Sequence, residues 1–338
     1  MTTDAAFAAP PARGPLEPGR RPSFSVIVAA WQAADQIGTA LESALAQTEP
    51  PLEIIVADDG STDDLAGALA RFGDRVCLIR LPHGGAASAS NAAAARACGD
   101  FVVVLDADDR WDAERLRRLG DLASARPDLD LLTTDAWFVV DGERRGSFYQ
   151  YNRFETQDQP TEILRRTFFF AHVAVRRTSW AAVGGFTPDL ARGYDWDLQL
   201  RLLLRGSLAG CVLEPLADYT VHSESLSANR FESFMARVDL LTRAETTQQL
   251  SGQQRRVLDE ARRRYRHRAL AARAEQLLVA GGPGRRRAVL ALAAQAGAGV
   301  RPRLRALAAA ALPERAGRHL RREMQGRGQA RSDRTLQD

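Results

Sequence analysis

An α/β fold on a mainly parallel sheet flanked by helices, with a helical region appended at its carboxyl end, is what this sequence predicts. Three observations carry that expectation. Short apolar runs rich in Val and Ile alternate with segments of helical spacing as far as about residue 140. Two of the runs, at residues 52–57 and 101–105, end abruptly in aspartates. The charge also changes sign along the chain: residues 1–250 carry 25 Arg against 35 acids, whereas 21 Arg face 7 acids from Ser251 onward. A strand covered on both faces reads as a continuous apolar run, and right-handed βαβ crossovers bring the carboxyl ends of such strands to one edge. Open α/β sheets bind their ligands at that edge.

Taken in order, Phe24–Ala30 (FSVIVAA) is a first strand, with Asp35 placed to cap a helix over residues 36–47. Residues 52–57 (LEIIVA) form a second strand that runs into Asp58-Asp59-Gly60-Ser61-Thr62-Asp63. A third strand over 75–81 is followed by His83-Gly84-Gly85 and a helix of small residues over 86–97. The fourth, after Asp100, ends in Asp106-Ala107-Asp108-Asp109. An amphipathic helix is expected between Asp112 and Ala125, then a strand over 129–140 and a hairpin turn at Asp141-Gly142. Beyond it the reading is a short helix over 163–170, a strand over 172–177, a turn at Gly184-Gly185-Phe186, a helix over 195–204 and a last strand over 216–222. From Ala228 the pattern is helical, and within 255–280 Val257, Ala261, Tyr265, Ala269 and Ala272 share one face.

The 338 residues, 45% of them hydrophobic, suffice for a substantial core. All 46 basic residues are Arg. Cys77, Cys98 and Cys211 are odd in number and lack CxxC spacing, which argues against a disulfide framework or a zinc site and fits a reducing compartment. Five Pro within the first 22 residues make a disordered leader the expectation there. The longest apolar stretch of the tail is roughly half of the ~20 residues a membrane span needs.

The acids admit two readings. Three carboxylates in four residues repel one another unless a cation or hydrogen-bond donors sit among them, and oxygen ligands suit Mg²⁺ or Mn²⁺. The same residues also make a solvated loop in which Asp109 or Asp112 caps the next helix, and Asp-Gly-Ser-Thr-Asp suits a turn with no ligand. The ordered set FSVIVAA, VADDGSTD (56–63), GGAASASN (84–91), VVVLDADD (102–109), GGF (184–186) and YDWDLQLR (194–201) decides between them. Over residues 23–227 it resembles the family 2 inverting glycosyltransferases of GT-A type.

That resemblance implies a GT-A, Rossmann-like domain over 23–227, an Arg-rich helical region over 228–325 and a disordered tail over 326–338. It implies a nucleoside-diphosphate sugar as donor, held by Asp58, Asp59, Asn91 and Asp106, and a divalent cation, Mg²⁺ or Mn²⁺, at Asp108 and Asp106, with His222 as a further candidate ligand. Asp195 matches the general base. The acceptor class implied is a sugar or lipid-linked hydroxyl in cell-surface polysaccharide or glycoconjugate synthesis. Two departures stand out: Ser90 occupies the position of an expected Arg, for which Arg80 or Arg201 could substitute, and Tyr194 stands in place of a Glu. They leave a catalytically weakened nucleotide-sugar-binding protein as the alternative. His172 is read as a buried partner of the sheet or a lining of the acceptor pocket, and Trp31 and Trp196 as core or as rings that stack on a base or sugar. The Arg-rich tail suits solvated helix faces or an anionic membrane surface, placing the protein in the cytoplasm, at the inner face of the membrane. No nucleic-acid motif accompanies the charge.

Overall fold

A computed structural model describes residues 20–221, 229–280, 287–290, 313 and 316. The chain divides into two compact units, Met1–Val221 and His222–Asp338. In the first, nine strands form one sheet: β1 (Phe24–Ala30), β2 (Glu53–Asp58), β3 (Cys77–Arg80), β4 (Phe101–Val104), β5 (Arg110–Trp111), β6 (Leu131–Val140), β7 (Glu143–Ser147), β8 (Ala174–Arg176) and β9 (Ala209–Thr220). Eight helices accompany them: α1 (Ile37–Leu45), α2 (Leu65–Ala70), α3 (Ala86–Ala94), α4 (Arg115–Ala125), α5 (Phe148–Tyr151), α6 (Gln159–Arg165), α7 (Arg177–Ala182) and α8 (Tyr194–Leu204).

The strand order is β3-β2-β1-β4-β8-β6-β9-β5, with β7 paired to β6. Its first half is the expected parallel sheet, since β1 pairs with β2 and β4, and β2 with β3, all parallel. The crossover helices bury small and branched apolar residues on it: Ile37, Ala40, Leu41 and Ala44 from α1, Ala89 and Ala93 from α3. Beyond β4 the sheet is mixed, because β8 runs antiparallel to both β4 and β6 whereas β6 and β9 are parallel. The hairpin at Asp141-Gly142 joins β6 to β7, with both residues at positive φ.

Several boundaries differ from the sequence reading. Asp35 caps nothing, because Gln36 precedes α1 without a side-chain cap. The helix expected over 163–170 ends at Arg165, and Phe168, Phe169 and Phe170 follow it as a buried, irregular segment. The last strand begins seven residues earlier than expected, at Ala209, and takes up bulges opposite Thr134–Trp137. Asp109 does not cap α4; Asp112 instead accepts the N–H of Glu114, the residue before the helix, at 3.0 Å.

In the second unit α9 (Arg230–Thr247) and α10 (Gly252–Ala280) form an antiparallel pair, with Arg230 bonded to Glu275 at one end and Glu245 to Arg262 at the other. Val257, Ala261, Tyr265, Ala269 and Ala272 are buried as the periodicity implies, and Phe234 stacks on Tyr265 at 6.3 Å. His222 and the stretch taken for the tail lie outside the described residues, as do residues 1–19 of the stretch taken for a leader, whereas its last residues are described and Arg20 and Arg21 are ion-paired to Asp100, Glu49 and Asp121.

Candidate functional site

At the carboxyl edge of the parallel strands two neighbouring aspartates are held very differently. The peptide of Asp59 bonds to Ala30 at the end of β1. Its carboxylate accepts the backbone N–H groups of Gly84 and Gly85 at 2.8 and 2.9 Å, so it holds the entry to α3. Asp58, the last residue of β2, accepts Ser61 N–H at 2.8 Å through Oδ1. Its Oδ2 makes no hydrogen bond among the described residues.

The loops after β1 and β2 are laced together. Gln32 Oε1 accepts from Thr62 N, Ser61 Oγ accepts from Gln32 N, and Asp63 accepts from Ala34 N. That lacing leaves Trp31 outside the core, 57% exposed, its ring tilted against His83 at 5.1 Å. The core reading of Trp31 is thereby corrected, whereas Trp196 is buried and donates its indole N–H to Ile163 O.

Asn91 reaches across to the Gly184-Gly185-Phe186 turn. Its amide donates to Phe186 O and accepts from Phe186 N, both at 2.8 Å. Gly185 has φ +70, and a Cβ there would lie 2.4 Å from Asn91 Oδ1; only glycine allows the approach. Ser90 is buried beside Asn91. Arg201 cannot replace the cation absent at 90, because its guanidinium is bound to Asp197, Val183 O and Gly185 O. Arg80 stays exposed at the same edge, in register with Asp58.

The acids after β4 split in the same way. Asp106 is partly open, with a side chain 42% exposed, and Asp108 is exposed. Asp109 is buried: Oδ1 accepts Thr220 N–H at 2.7 Å, and Oδ2 lies 2.9 Å from Nε2 of the fully buried His172. Asp106, Asp109 and His172 each offer one ligand atom within 4.8 Å of the others. Burial pushes the Asp109 carboxyl up to about 6, with Asp106 and Asp108 adding and His172 opposing. Burial also works against a proton on His172, but the two carboxylates outweigh it and the net shift is upward, to about 9. The Trp111 indole N–H opposes that protonation, since it can only donate and lies 3.1 Å from Nδ1.

Asp195 lies in the first turn of α8. Burial, then the charges of Asp106 and Asp195, raises the Tyr194 hydroxyl well above its ordinary range. Tyr219 is raised by burial and then by Asp106, Asp109, Asp108 and Asp195 together. Both hydroxyls thus feel Asp106 and Asp195, so these two acids lie near the same pair of tyrosines. The dipole of α8 favours negative charge at Asp195. The sequence reading had His172 correctly as buried, but assigned it no carboxylate partner and passed over Asp109 as a helix cap. The signal for both was weak: one histidine and the third acid of a run.

Residues 25–183 match the family described as Glycosyl transferase family 2. The succinoglycan biosynthesis protein ExoO of Rhizobium meliloti is 32% identical over 228 residues, 62% of this chain and 63% of its own. The UDP-Glc:alpha-D-GlcNAc-diphosphoundecaprenol beta-1,3-glucosyltransferase WfaP of Escherichia coli is 28% identical over 229 residues, covering 64% of this chain and 84% of the relative. Other relatives are matched over as little as 16% of their length. Among solved structures, the mannosyltransferase PcManGT of Pyrobaculum calidifontis, in complex with GDP-Man and Mn²⁺, superposes with TM-score 0.56 at 21% identity, over 88% of each chain. The fold is thus of GT-A type.

Proposed function

Because residues 25–183 match glycosyl transferase family 2, we propose that the chain is an inverting enzyme of that family, which takes a sugar from a nucleoside-diphosphate donor lying along the carboxyl edge of the sheet. The observation that supports this best is that Asp106, from the loop after β4, and Asp195, from the start of α8, both act on the hydroxyls of Tyr194 and Tyr219.

In this reading Trp31 stacks on the base, and Asp58, with its unbonded Oδ2, accepts from the base or ribose. Asp59 and Asn91 hold the donor site rather than touch the donor, since their polar atoms are committed to Gly84, Gly85 and Phe186. Asp106 and Asp108 would hold Mg²⁺ or Mn²⁺, for carboxylate oxygens are the donors such cations prefer. When bound, the ion supplies charge that offsets the negative charge growing on the departing diphosphate. Asp195 accepts the proton of an acceptor hydroxyl while that oxygen bonds to the anomeric carbon. The bond from that carbon to the diphosphate breaks on the opposite face, which inverts the configuration and releases the nucleoside diphosphate.

For the acceptor we propose a sugar hydroxyl, free or lipid-linked, in surface polysaccharide or glycoconjugate synthesis; the diphosphoundecaprenol in the name of the Escherichia coli relative supports the lipid-linked form. Arg255, Arg256, Arg263, Arg266 and Arg273 are exposed along one side of α10, opposite Val257, Ala261, Tyr265 and Ala272. They span about 27 Å at 1.5 Å per residue, and each contributes roughly 1 kcal/mol near an anionic leaflet. That face is the proposed contact with the inner side of the membrane, for a protein proposed to lie in the cytoplasm. No helix among the described residues is long and apolar enough to cross a bilayer.

The test is Asp195→Asn assayed with a panel of nucleotide sugars. Turnover should fall by about 10²–10⁴ while nucleotide affinity stays within twofold. Unchanged turnover would remove Asp195 as the base.

A further inference from the structure

At the donor edge the exposed ring of Trp31 meets that of His83, 5.1 Å between centres and tilted by 32°. The His83 side chain is 59% exposed, too open to serve the core, yet it is anchored. Its Nδ1 lies 3.0 Å from the Asp59 carbonyl oxygen, which can only accept, so Nδ1 donates to it. The same Asp59 donates its N–H to Ala30 O at 2.9 Å, one residue before Trp31. Its carboxylate takes the N–H groups of Gly84 and Gly85, directly after His83. One residue therefore ties the chain on both sides of the ring pair. Two backbone features allow this. Gly60 has φ +74, and a Cβ there would lie 2.8 Å from His83 N, so the turn after β2 can rest against the turn before α3 only with glycine at 60. Gln32, next to Trp31, takes φ +52, which residues bearing a Cβ seldom adopt. Three bonds hold it there: N to Ser61 Oγ at 3.0 Å, Nε2 to Thr62 Oγ1 at 2.9 Å, and Oε1 accepting from Thr62 N at 2.8 Å.

We infer that His83 is a positioning residue for the donor base: anchored on Asp59, it backs one face of the Trp31 indole and fixes that ring, so that the base stacks on the opposite face. The inference rests on the reading of Trp31 as the ring that stacks on the base. An exposed indole with no backing turns about its two side-chain angles, and a base that stacks on it must first arrest that motion, which costs affinity. An aromatic neighbour in tilted contact holds the ring before the nucleotide arrives. His83 thus reaches the nucleotide only through Trp31. Its removal should weaken nucleotide binding by about 3–10-fold, and only while Trp31 is present.

The full chain is titrated calorimetrically with UDP and with GDP in the presence of Mn²⁺, as wild type, His83→Ala, Trp31→Ala and the double variant. His83→Ala should bind the preferred nucleotide about 3–10-fold more weakly than wild type, whereas in the Trp31→Ala background the same substitution should alter affinity less than about twofold. His83→Phe keeps a ring and should recover most of the loss; His83→Asn keeps a donor toward Asp59 O without a ring and should not. An equal loss with and without Trp31 would make His83 a nucleotide contact in its own right, and no loss in His83→Ala would make the ring pair incidental; either overturns the inference. A second measurement needs no nucleotide. With ¹⁵N-tryptophan in the full chain, the Trp31 indole signal is assigned among five by its absence in Trp31→Phe, and its ¹⁵N–{¹H} NOE should fall in His83→Ala toward that of a mobile side chain. An unchanged NOE overturns the inference. A Trp31→Ala variant that binds UDP and GDP as tightly as wild type, or a wild type that binds neither, overturns the base-stacking reading instead, and the NOE still decides whether His83 fixes the ring.

Discussion

Replacing Asp58 and Asp59 by asparagine, one at a time, should give opposite signatures from adjacent positions. The Asp59 carboxylate is buried and accepts two backbone N–H groups, from Gly84 and Gly85. Asparagine can accept one of them, but its NH₂ then faces the other donor. The loss of one charge-assisted bond with a donor left against a donor costs about 2–3 kcal/mol. At roughly 2–4 °C per kcal/mol for a domain of this size, the melting temperature should fall by about 4–12 °C. Asp58→Asn keeps its bond from Ser61 N–H through the amide oxygen and should leave the melting temperature within about 2 °C. What it loses is the carboxylate Oδ2 offered to the donor, a charged hydrogen bond of about 1.5–3 kcal/mol, or about 10–100-fold in affinity. Thermal unfolding and calorimetric titration with UDP and GDP in the presence of Mn²⁺ read the two quantities separately. A stable Asp59→Asn with weakened nucleotide binding, beside an unstable Asp58→Asn, would refute the assignment.

Three further outcomes are expected. Burial raises the Asp100 carboxyl, but the Arg20 guanidinium and the Ser23 N–H and O–H outweigh it and hold the group down at about 2. A carboxyl depressed on folding stabilises the protein above its unfolded value near 4 and loses that contribution as the pH falls through 2. The stability gap between wild type and Asp100→Asn, about 1–2 kcal/mol after discounting for the partly exposed Arg20, should therefore shrink between pH 5 and pH 2.5 in denaturant titrations; a gap that widens contradicts the clamp. Trp31→Ala should leave the melting temperature almost unchanged, since the ring is exposed, but weaken nucleotide binding by about 1–3 kcal/mol if it stacks on the base. Changing Arg255, Arg263 and Arg266 together to Gln should reduce flotation with anionic but not neutral liposomes, and equal flotation of the two proteins would reject the membrane face.

Much of the donor edge was legible because it is local. An apolar run that stops at a carboxylate marks both a buried strand and its open end, and so β2 with Asp58 and β4 with Asp106 could be placed from composition and spacing alone. The antiparallel half was harder to read: β8 is three residues long, and β5 two, too few to show a period. Such strands exist because neighbours already in place supply their hydrogen bonds.

Fold class, strand and helix alternation in the first half, the amphipathic face of α10 and the identity of the acids were determined by the sequence itself, since each depends on residues within one or two turns of one another. Only the tertiary structure decided which acids are buried against donors from distant parts of the chain. Asp58 and Asp59 are chemically identical neighbours, as are Asp108 and Asp109. One of each pair is spent on groups far away in the chain, Gly84 and Gly85 for Asp59, Thr220 and His172 for Asp109. A buried carboxylate must find donors wherever the fold brings them, and here they come from 25 to 111 positions away, beyond the reach of any local pattern.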